Sequence, residues 1–258
     1  MNVCDFSKEQ GHWVLAKMGK RVLRPGGKEL THKMISGLNI KTTDHIVEFA
    51  PGLGYTAGIA LKLNPANYTG IELDEKVAEN LRTKITGMNR SIINANAANT
   101  PLDAASTDKV YGEAMLTMHA DHRKAEIIRE AHRILKPGGL YGIHEIVLSP
   151  DDIPDDHKAK IQREMAEVIR VNARPLTQTE WTNLLKNEGF EISIIEQNPM
   201  HLLKTSRMID DEGFIRTLKI GFNILKNSAA RKRIMSMRKV FNRYENQMRS
   251  IAIVAKKI

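Results

Sequence analysis

Two glycines one residue apart, Gly52 and Gly54, directly follow an apolar run that carries a single acid, Glu48, in His45-Ile-Val-Glu-Phe49. Glycines at such a point let the backbone turn tightly against a bound ligand, and the helix that follows offers free N–H groups to an anion. Glu72, 18 residues beyond Gly54, is an acid placed to grip two ribose hydroxyls. The chemistry these residues suit is the holding of a nucleoside cofactor. Gly52-x-Gly54-x-x-Ala57 with Glu72 also fits a dinucleotide, so an NAD-dependent oxidoreductase stays open on these residues alone. Glu48 leans the other way, because it can meet a cationic amine and the loop has no lysine for a phosphate. Groups able to move a proton follow at later strand ends: His119 and Asp121, then His144 and Glu145.

The elements that must position these groups alternate. Ser7-Lys8-Glu9-Gln10 has the form of a capping box and predicts a helix running towards Leu23, stopped by Arg24-Pro25-Gly26-Gly27. A short helix over 30–38 leads into a strand over 45–49. Helix 56–63, strand 67–72, helix 74–83 and strands 91–96 and 108–115 come next, then helix 121–135. Lys136-Pro-Gly-Gly139 breaks that helix before a strand over 140–148. Strands and helices in this order predict a doubly wound, mainly parallel sheet. Beyond Val147 come a loop at 149–154, a helix over 157–171, and a second capping box, Thr177-Gln-Thr-Glu180, opening a helix that ends at Gly189. A strand over 190–196 and a last strand over 250–255 enclose about 50 residues of helical pattern. There Phe214, Leu218, Phe222 and Leu225 share one helix face, and Ile234, Met237, Phe241, Tyr244 and Met248 share another.

The chain has 258 residues, 41% hydrophobic and 27% charged, which suits a soluble globular protein with one sizeable core. No apolar run approaches the ~20 residues that span a bilayer. The first residues lack the apolar stretch of a signal peptide. Cys4, the sole cysteine, can form no internal disulfide, and a cytoplasmic location is the expectation. The net charge of +9 is uneven: residues 201–258 hold 14 Lys and Arg against 4 Asp and Glu. Such a segment suits an anionic partner or a solvated basic face.

Read together, the motifs resemble those of the class I S-adenosylmethionine-dependent methyltransferases. Glu48 to Gly54 looks like their Asp/Glu-x-Gly-x-Gly-x-Gly motif, and Ile71-Glu72 resembles the ribose-binding acid. Ala95-Asn96-Ala97 resembles their Gly-Asp-Ala adenine contact. Leu135 to Gly139 matches their Leu-Lys-Pro-Gly-Gly turn, and Asn187-Glu-Gly-Phe190 the turn before strand six. The resemblance covers 30–197 and resumes at Ser250. It departs at Ala50, where a glycine is usual and a negative φ is expected to accommodate the methyl, and at Asn96, where an Asp is usual.

The resemblance implies a Rossmann-like doubly wound seven-stranded sheet with strand seven antiparallel. It implies an N-terminal helical lid over 1–40, a core over 41–200, a helical cap over 201–248 and the last core strand over 249–258. S-adenosylmethionine is the implied cofactor, held by Glu48, Ala50, Gly52, Gly54, Tyr55, Glu72, Leu73, Asn96, Ala97 and Glu113, with no metal. Its carboxylate would meet N–H groups near Tyr55 and Thr56, and its ammonium Glu48 and carbonyls near Gly112 and Glu113. Methyl transfer is an in-line displacement needing alignment in a dry pocket. His119 is the favoured base where the acceptor must lose a proton, and His12 and Trp13 could close over the site.

Pyrimidine C5-methyltransferases need a cysteine near the fourth strand, and amino-methylating DNA enzymes an Asn/Asp-Pro-Pro-aromatic motif there. This chain has Glu113-Ala-Met-Leu116, so nucleic acid is not the expected substrate. A small-molecule acceptor, lipophilic as in quinone and sterol methyltransferases, is expected, with peripheral contact to anionic membrane through the basic C-terminal segment. A non-catalytic S-adenosylmethionine-binding protein is the further alternative.

Overall fold

The computed structural model describes residue 6 and residues 8–258. Cys4 and Ser7, and with Ser7 the first capping box, lie outside the described residues. The first helix, α1 (Gly11–Lys17), ends well short of Leu23. Gly19 at φ +105° stops it, and the chain then runs irregularly through Lys20–Arg24. Helix α2 (Gly27–Leu38) starts earlier than its apolar periodicity predicts, because Gly26 in the left-handed region caps it.

Eight strands form one sheet: β1 (His45–Phe49), β2 (Asn67–Glu72), β3 (Arg90–Asn94), β4 (Thr107–Glu113), β5 (Leu135–Leu148), β6 (Leu176–Thr177), β7 (Phe190–Pro199) and β8 (Met248–Lys257). Their order is β3-β2-β1-β4-β5-β8-β7, with β6 beside β5 off this path. β1 to β6 pair in parallel, and β8 is antiparallel to both β5 and β7. Seven strands are thus as the sequence implied, and β6 is an addition. Two residues are too few to show a strand period, so only its parallel pairing with Val147 and Leu148 reveals it. The Lys136-to-Gly139 turn is an irregularity inside the β4–β5 ladder, where the register jumps from Thr107↔Leu135 to Lys109↔Leu140.

Helices α3 (Tyr55–Ala60), α4 (Glu75–Lys84), α5 (Asp121–Ile134) and α7 (Gln178–Asn187) cover the sheet. α7 carries the predicted capping box, with both the Thr177 and Glu180 side chains bonded back to the backbone. Alternation along β1 sends Val47 and Phe49 to one core with Ile128, Ile143 and Trp181. Ile46 goes to the other, against Leu30, Met34 and Leu38 of α2. Glu48 shares the face of Ile46, which puts a carboxylate beside Tyr68 and Tyr111. The strand order reverses between β1 and β4, and the crevice beyond their C-terminal ends is where such sheets bind ligands.

Helix α6 (Asp155–Ile169) follows β5, and α8 (Thr205–Glu212), α9 (Phe214–Lys226) and α10 (Ser228–Arg243) lie between β7 and β8. α10 is core: Ile234 and Met237 pack with Val14 and Leu15 of α1, and Val240 with Ile161 and Met165 of α6. α9 buries Ile220 and leaves Phe214, Leu218, Phe222 and Leu225 exposed. α8 ends in two buried acids that hold the N-terminal segment. Glu212 accepts from the backbone N–H of Arg21 (2.7 Å) and Val22 (2.8 Å), and Asp211 from that of Lys28 (3.0 Å). Buried Lys20 lies 3.8 Å from Glu212 and 3.9 Å from Asp211.

Candidate active site

At the end of β1 the chain turns through Ala50-Pro51-Gly52-Leu53-Gly54 into α3. Ala50 is left-handed, at φ +52°, where the sequence called for a negative φ. The position keeps glycine's backbone even though it has a Cβ, because the Ala50 N–H is drawn 2.8 Å from the Ile71 carbonyl. Gly52 is also left-handed, at φ +57°, and a Cβ built there meets nothing closer than the Ala50 carbonyl at 3.9 Å. The space over Gly52 is therefore open cavity. Gly54 caps α3 at φ +77° and faces Leu81 of α4, outside the cavity.

Two buried acids stand at the ends of the neighbouring strands β1 and β4. Glu48 accepts from the hydroxyls of Tyr68 (2.7 Å) and Tyr111 (3.0 Å). Burial pushes its carboxyl up to about 7, only partly opposed by those two neutral donors. Glu113 has a richer set of partners: Thr31 at 2.7 Å, His144 Nδ1 at 2.7 Å, the Thr56 hydroxyl, and the Arg24 guanidinium at 2.7 Å. Burial would raise its carboxyl, but Arg24, then His144 and Thr56, outweigh that and hold it down to about 2. Arg24 also bonds Thr31 and lies 4.9 Å over the Tyr55 ring.

These groups line an inner cavity of about 170 Å³ that contains Arg24, Glu48, Gly52, Tyr55 and Glu113. An outer cavity of about 610 Å³ adjoins it and shares Trp13, Ala50, Glu72, Met115 and Met118. Leu73, Asn96, Ala97 and His119 line the outer cavity alone. Glu72 is oriented there by the N–H groups of Gly52 and Asp74, each at 3.2 Å, and burial raises its carboxyl against those two donors. Asn96 turns its amide oxygen to the Ala98 N–H at 3.0 Å, an Asx-type turn that fixes the loop after β3. His119 is lowered by burial and by Arg123 and Lys124.

A third cavity, of about 60 Å³, is apolar. Leu15, Met165, Ile169, Met200, Met237 and Phe241 wall it. It meets the inner cavity at His12, Leu23, Ala114 and Met118. His12 and Met118 line all three spaces. Burial lowers the His12 imidazole to about 4, partly opposed by Glu9, so the ring is neutral at pH 7.

The two β5 candidates do other work. His144 is fully buried, with Nδ1 on Glu113 and Nε2 2.6 Å from the Pro25 carbonyl, which ties the N-terminal segment to the sheet. Glu145 accepts from the N–H groups of Met115, Leu116 and Thr117 and from the Thr117 hydroxyl at 2.7 Å. It anchors the turn after β4 that lines all three cavities. Neither faces a cavity, so the strand-end placement that made them candidate bases is corrected: their strand turns both inward. Asp121 is taken up by Lys124 at 2.6 Å.

Comparison with known proteins agrees with this arrangement. Residues 47–143 match the family described as a methyltransferase domain. An uncharacterised protein of Haemophilus influenzae is 34% identical over 253 residues, 96% of this chain and 98% of that one. The chain belongs to the class I S-adenosylmethionine-dependent methyltransferases. A sterol 24-C-methyltransferase of Neurospora crassa is 25% identical over 167 residues, 62% of this chain but only 43% of its own length. Among solved structures, phosphoethanolamine N-methyltransferase 2 of Haemonchus contortus with S-adenosyl-L-methionine superposes with a TM-score of 0.71 at 17% identity. That match covers 96% of this chain and 56% of the other. As a member of this family the chain is an enzyme, and its cofactor is S-adenosylmethionine.

The cavities suit that cofactor. Its methionine end is a zwitterion, and the inner cavity offers the guanidinium groups of Arg21 and Arg24 and three acids, Glu48, Glu72 and Glu113, around an open glycine. Its nucleoside end needs an acid for the ribose and a flat, part-apolar slot for adenine, and the outer cavity offers Glu72 with Leu73, Asn96 and Ala97. Arg24 was not foreseen as a site residue. Arg24-Pro-Gly-Gly27 reads locally as a helix stop, and only the fold carries it 32 residues forward to Thr56. Among the described residues no cluster of His, Cys, Asp or Glu could hold a metal ion.

Proposed function

We propose that this methyltransferase modifies a small lipophilic acceptor that occupies the apolar cavity between α1, α6 and α10. The observation that carries the reading is the wall of that cavity: aliphatic side chains, four methionines and Phe241, meeting the inner cavity at His12 and Met118. A cavity so lined recognises shape and apolar surface, with few polar groups to fix a charged acceptor. S-adenosylmethionine supplies an electrophilic methyl on a sulfonium. Arg24 and the N–H groups near Tyr55 and Thr56 would take its carboxylate, Glu48 its ammonium, and Glu72 its ribose hydroxyls. Asn96 and Ala97 would border its adenine. Trp13 and Met115 would exclude water, so that alignment does most of the catalytic work.

Where the acceptor must lose a proton, position favours His12, which lines all three spaces although burial weakens it as a base, whereas His119 lines the outer cavity only. His12→Ala should then lower turnover more than His119→Ala. The N-terminal segment and the α8–α10 insertion act in this reading as lid and cap.

The reading is tested by incubating the protein with methyl-labelled S-adenosylmethionine and a total lipid extract. Label should pass into the organic phase. Label confined to water-soluble products would overturn the lipophilic acceptor. Gly52→Val, which fills the open space over the loop and strains a left-handed backbone, should abolish cofactor binding by calorimetry with the circular dichroism spectrum unchanged.

A further inference from the structure

α9 is built the wrong way round for a helix of a globular core. Five of its large apolar side chains, Phe214, Ile215, Leu218, Phe222 and Leu225, are 55–84% exposed, while Ile220 alone is buried. At 3.6 residues per turn those five fall within an arc of about 100°. Lys219 and Lys226 follow at one edge of that arc, and Lys226 lies 4.3 Å over the Phe222 ring. The opposite face holds the helix to the protein: Asn223 donates to the Met18 carbonyl at 2.9 Å and Arg216 to that of Gly19 at 3.1 Å.

The adjoining helix supplies charge. α10 buries Ala230, Ile234, Met237 and Val240 and exposes Arg231, Lys232, Arg238 and Lys239 around an exposed Met235. Arg231 donates to the Leu225 carbonyl at 3.2 Å, so the apolar arc and the basic face meet at that corner. From Phe214 to Arg243 there are nine Lys and Arg and no Asp or Glu. Among the described residues no helix is long and apolar enough to cross a membrane.

We propose that α9 and α10 form a docking surface for an anionic lipid bilayer, with α9 lying in the interfacial plane and the basic side chains at the headgroups. An exposed apolar arc bordered by lysines is the pattern that inserts shallowly and is strengthened by anionic lipid. The charge selects this occupant over a second copy of the chain, since two such surfaces would bring twelve like charges together, Lys219, Lys226, Arg231, Lys232, Arg238 and Lys239 from each. α9 sits on the end of α1, and α1 contributes Gly11, His12 and Leu15 to the apolar cavity. Docking therefore places the bilayer beside the helix that walls that cavity. The surface is defined independently of which acceptor the enzyme uses.

Vesicle flotation of the whole protein tests this. Phosphatidylcholine vesicles with about 30 mol% phosphatidylglycerol should recover at least tenfold more protein than phosphatidylcholine alone at about 50 mM salt, and the difference should shrink at about 500 mM. Leu218→Glu with Phe222→Glu should cut recovery at least tenfold, and Lys219→Gln with Lys226→Gln severalfold, with cofactor affinity by calorimetry unchanged in both. Low recovery on both vesicle types would overturn the proposal, as would undiminished recovery of the Leu218/Phe222 variant. So would a dimer by light scattering that this variant converts to monomer, without vesicle recovery of the parent. A salt-dependent gel shift with nucleic acid in place of vesicle recovery would reassign the surface.

Discussion

Glu48 and Glu113 end neighbouring parallel strands, are both buried, and border one cavity, yet burial wins at the first and loses at the second. The difference lies in what each meets. Glu48 has two neutral hydroxyls, whereas Glu113 has a guanidinium, an imidazole nitrogen and two hydroxyls. Glu113 is thus half of an ion pair that holds the N-terminal segment against the sheet. Glu48 is unfinished: the folded chain holds its carboxylate without a partner cation of its own. On the proposed binding mode, the ammonium of the cofactor would supply what Glu48 lacks. Buried groups with displaced titrations do cluster at functional sites, and on the proposed binding mode this pair would divide the work, Glu113 holding the fold and Glu48 receiving the cofactor's ammonium.

The largest effect should come from breaking the ion pair. Glu113→Gln leaves Arg24 buried without its anion and should cost about 3–5 kcal/mol in urea unfolding. In the parent, the stability that Glu113 contributes is fully present above its ordinary value of 4.5 and is lost as pH falls towards about 2. A Glu113→Gln variant as stable as the parent at pH 7 would remove the contrast.

Glu48 should behave with the opposite sign. Its raised carboxyl costs stability as pH rises from 4.5 to about 7, and the full cost persists above that. Glu48→Gln keeps an acceptor for both tyrosines and should stabilise the cofactor-free protein at pH 8 by up to about 3 kcal/mol. The same change should weaken S-adenosylmethionine binding at least tenfold. It should also flatten a pH dependence in which the parent's affinity climbs as pH rises through about 7. Unchanged affinity by calorimetry would reduce Glu48 to a core residue.

The smallest effect belongs to the loop between the two acids. Ala50→Gly relieves a left-handed alanine, offset by the greater freedom of glycine in the unfolded chain, and should stabilise by about 1 kcal/mol in thermal unfolding.

What the sequence disclosed divides along the same line as the two acids. β1 and β2 are as read, and Glu48, Gly52 and Glu72 line the cavity, because apolar runs, turn residues and strand ends are short-range signals. The capping box at Thr177 was equally visible, being contained in four residues. Arg24, Thr31 and the hydroxyl of Thr56 gave no such signal, since what defines them is a partner up to 89 residues away on another element. Glu145 looked catalytic for the converse reason. An acid on a central strand is conspicuous, and the three N–H groups that occupy it come from a turn about 30 residues earlier. Ala50 could be named as unusual but its φ could not, because a methyl group argues for one backbone and the Ile71 carbonyl imposes another.

The two acids at the end of α8 have a consequence for anyone wishing to redirect this enzyme. Asp211 and Glu212 grip the backbone of Arg21, Val22 and Lys28, on either side of the arginine that completes Glu113. The insertion between β7 and β8 is therefore not a modular cassette. A chimera that grafts a relative's segment in place of 205–243 must import 20–28 as well, or it will unfasten Arg24 from Glu113.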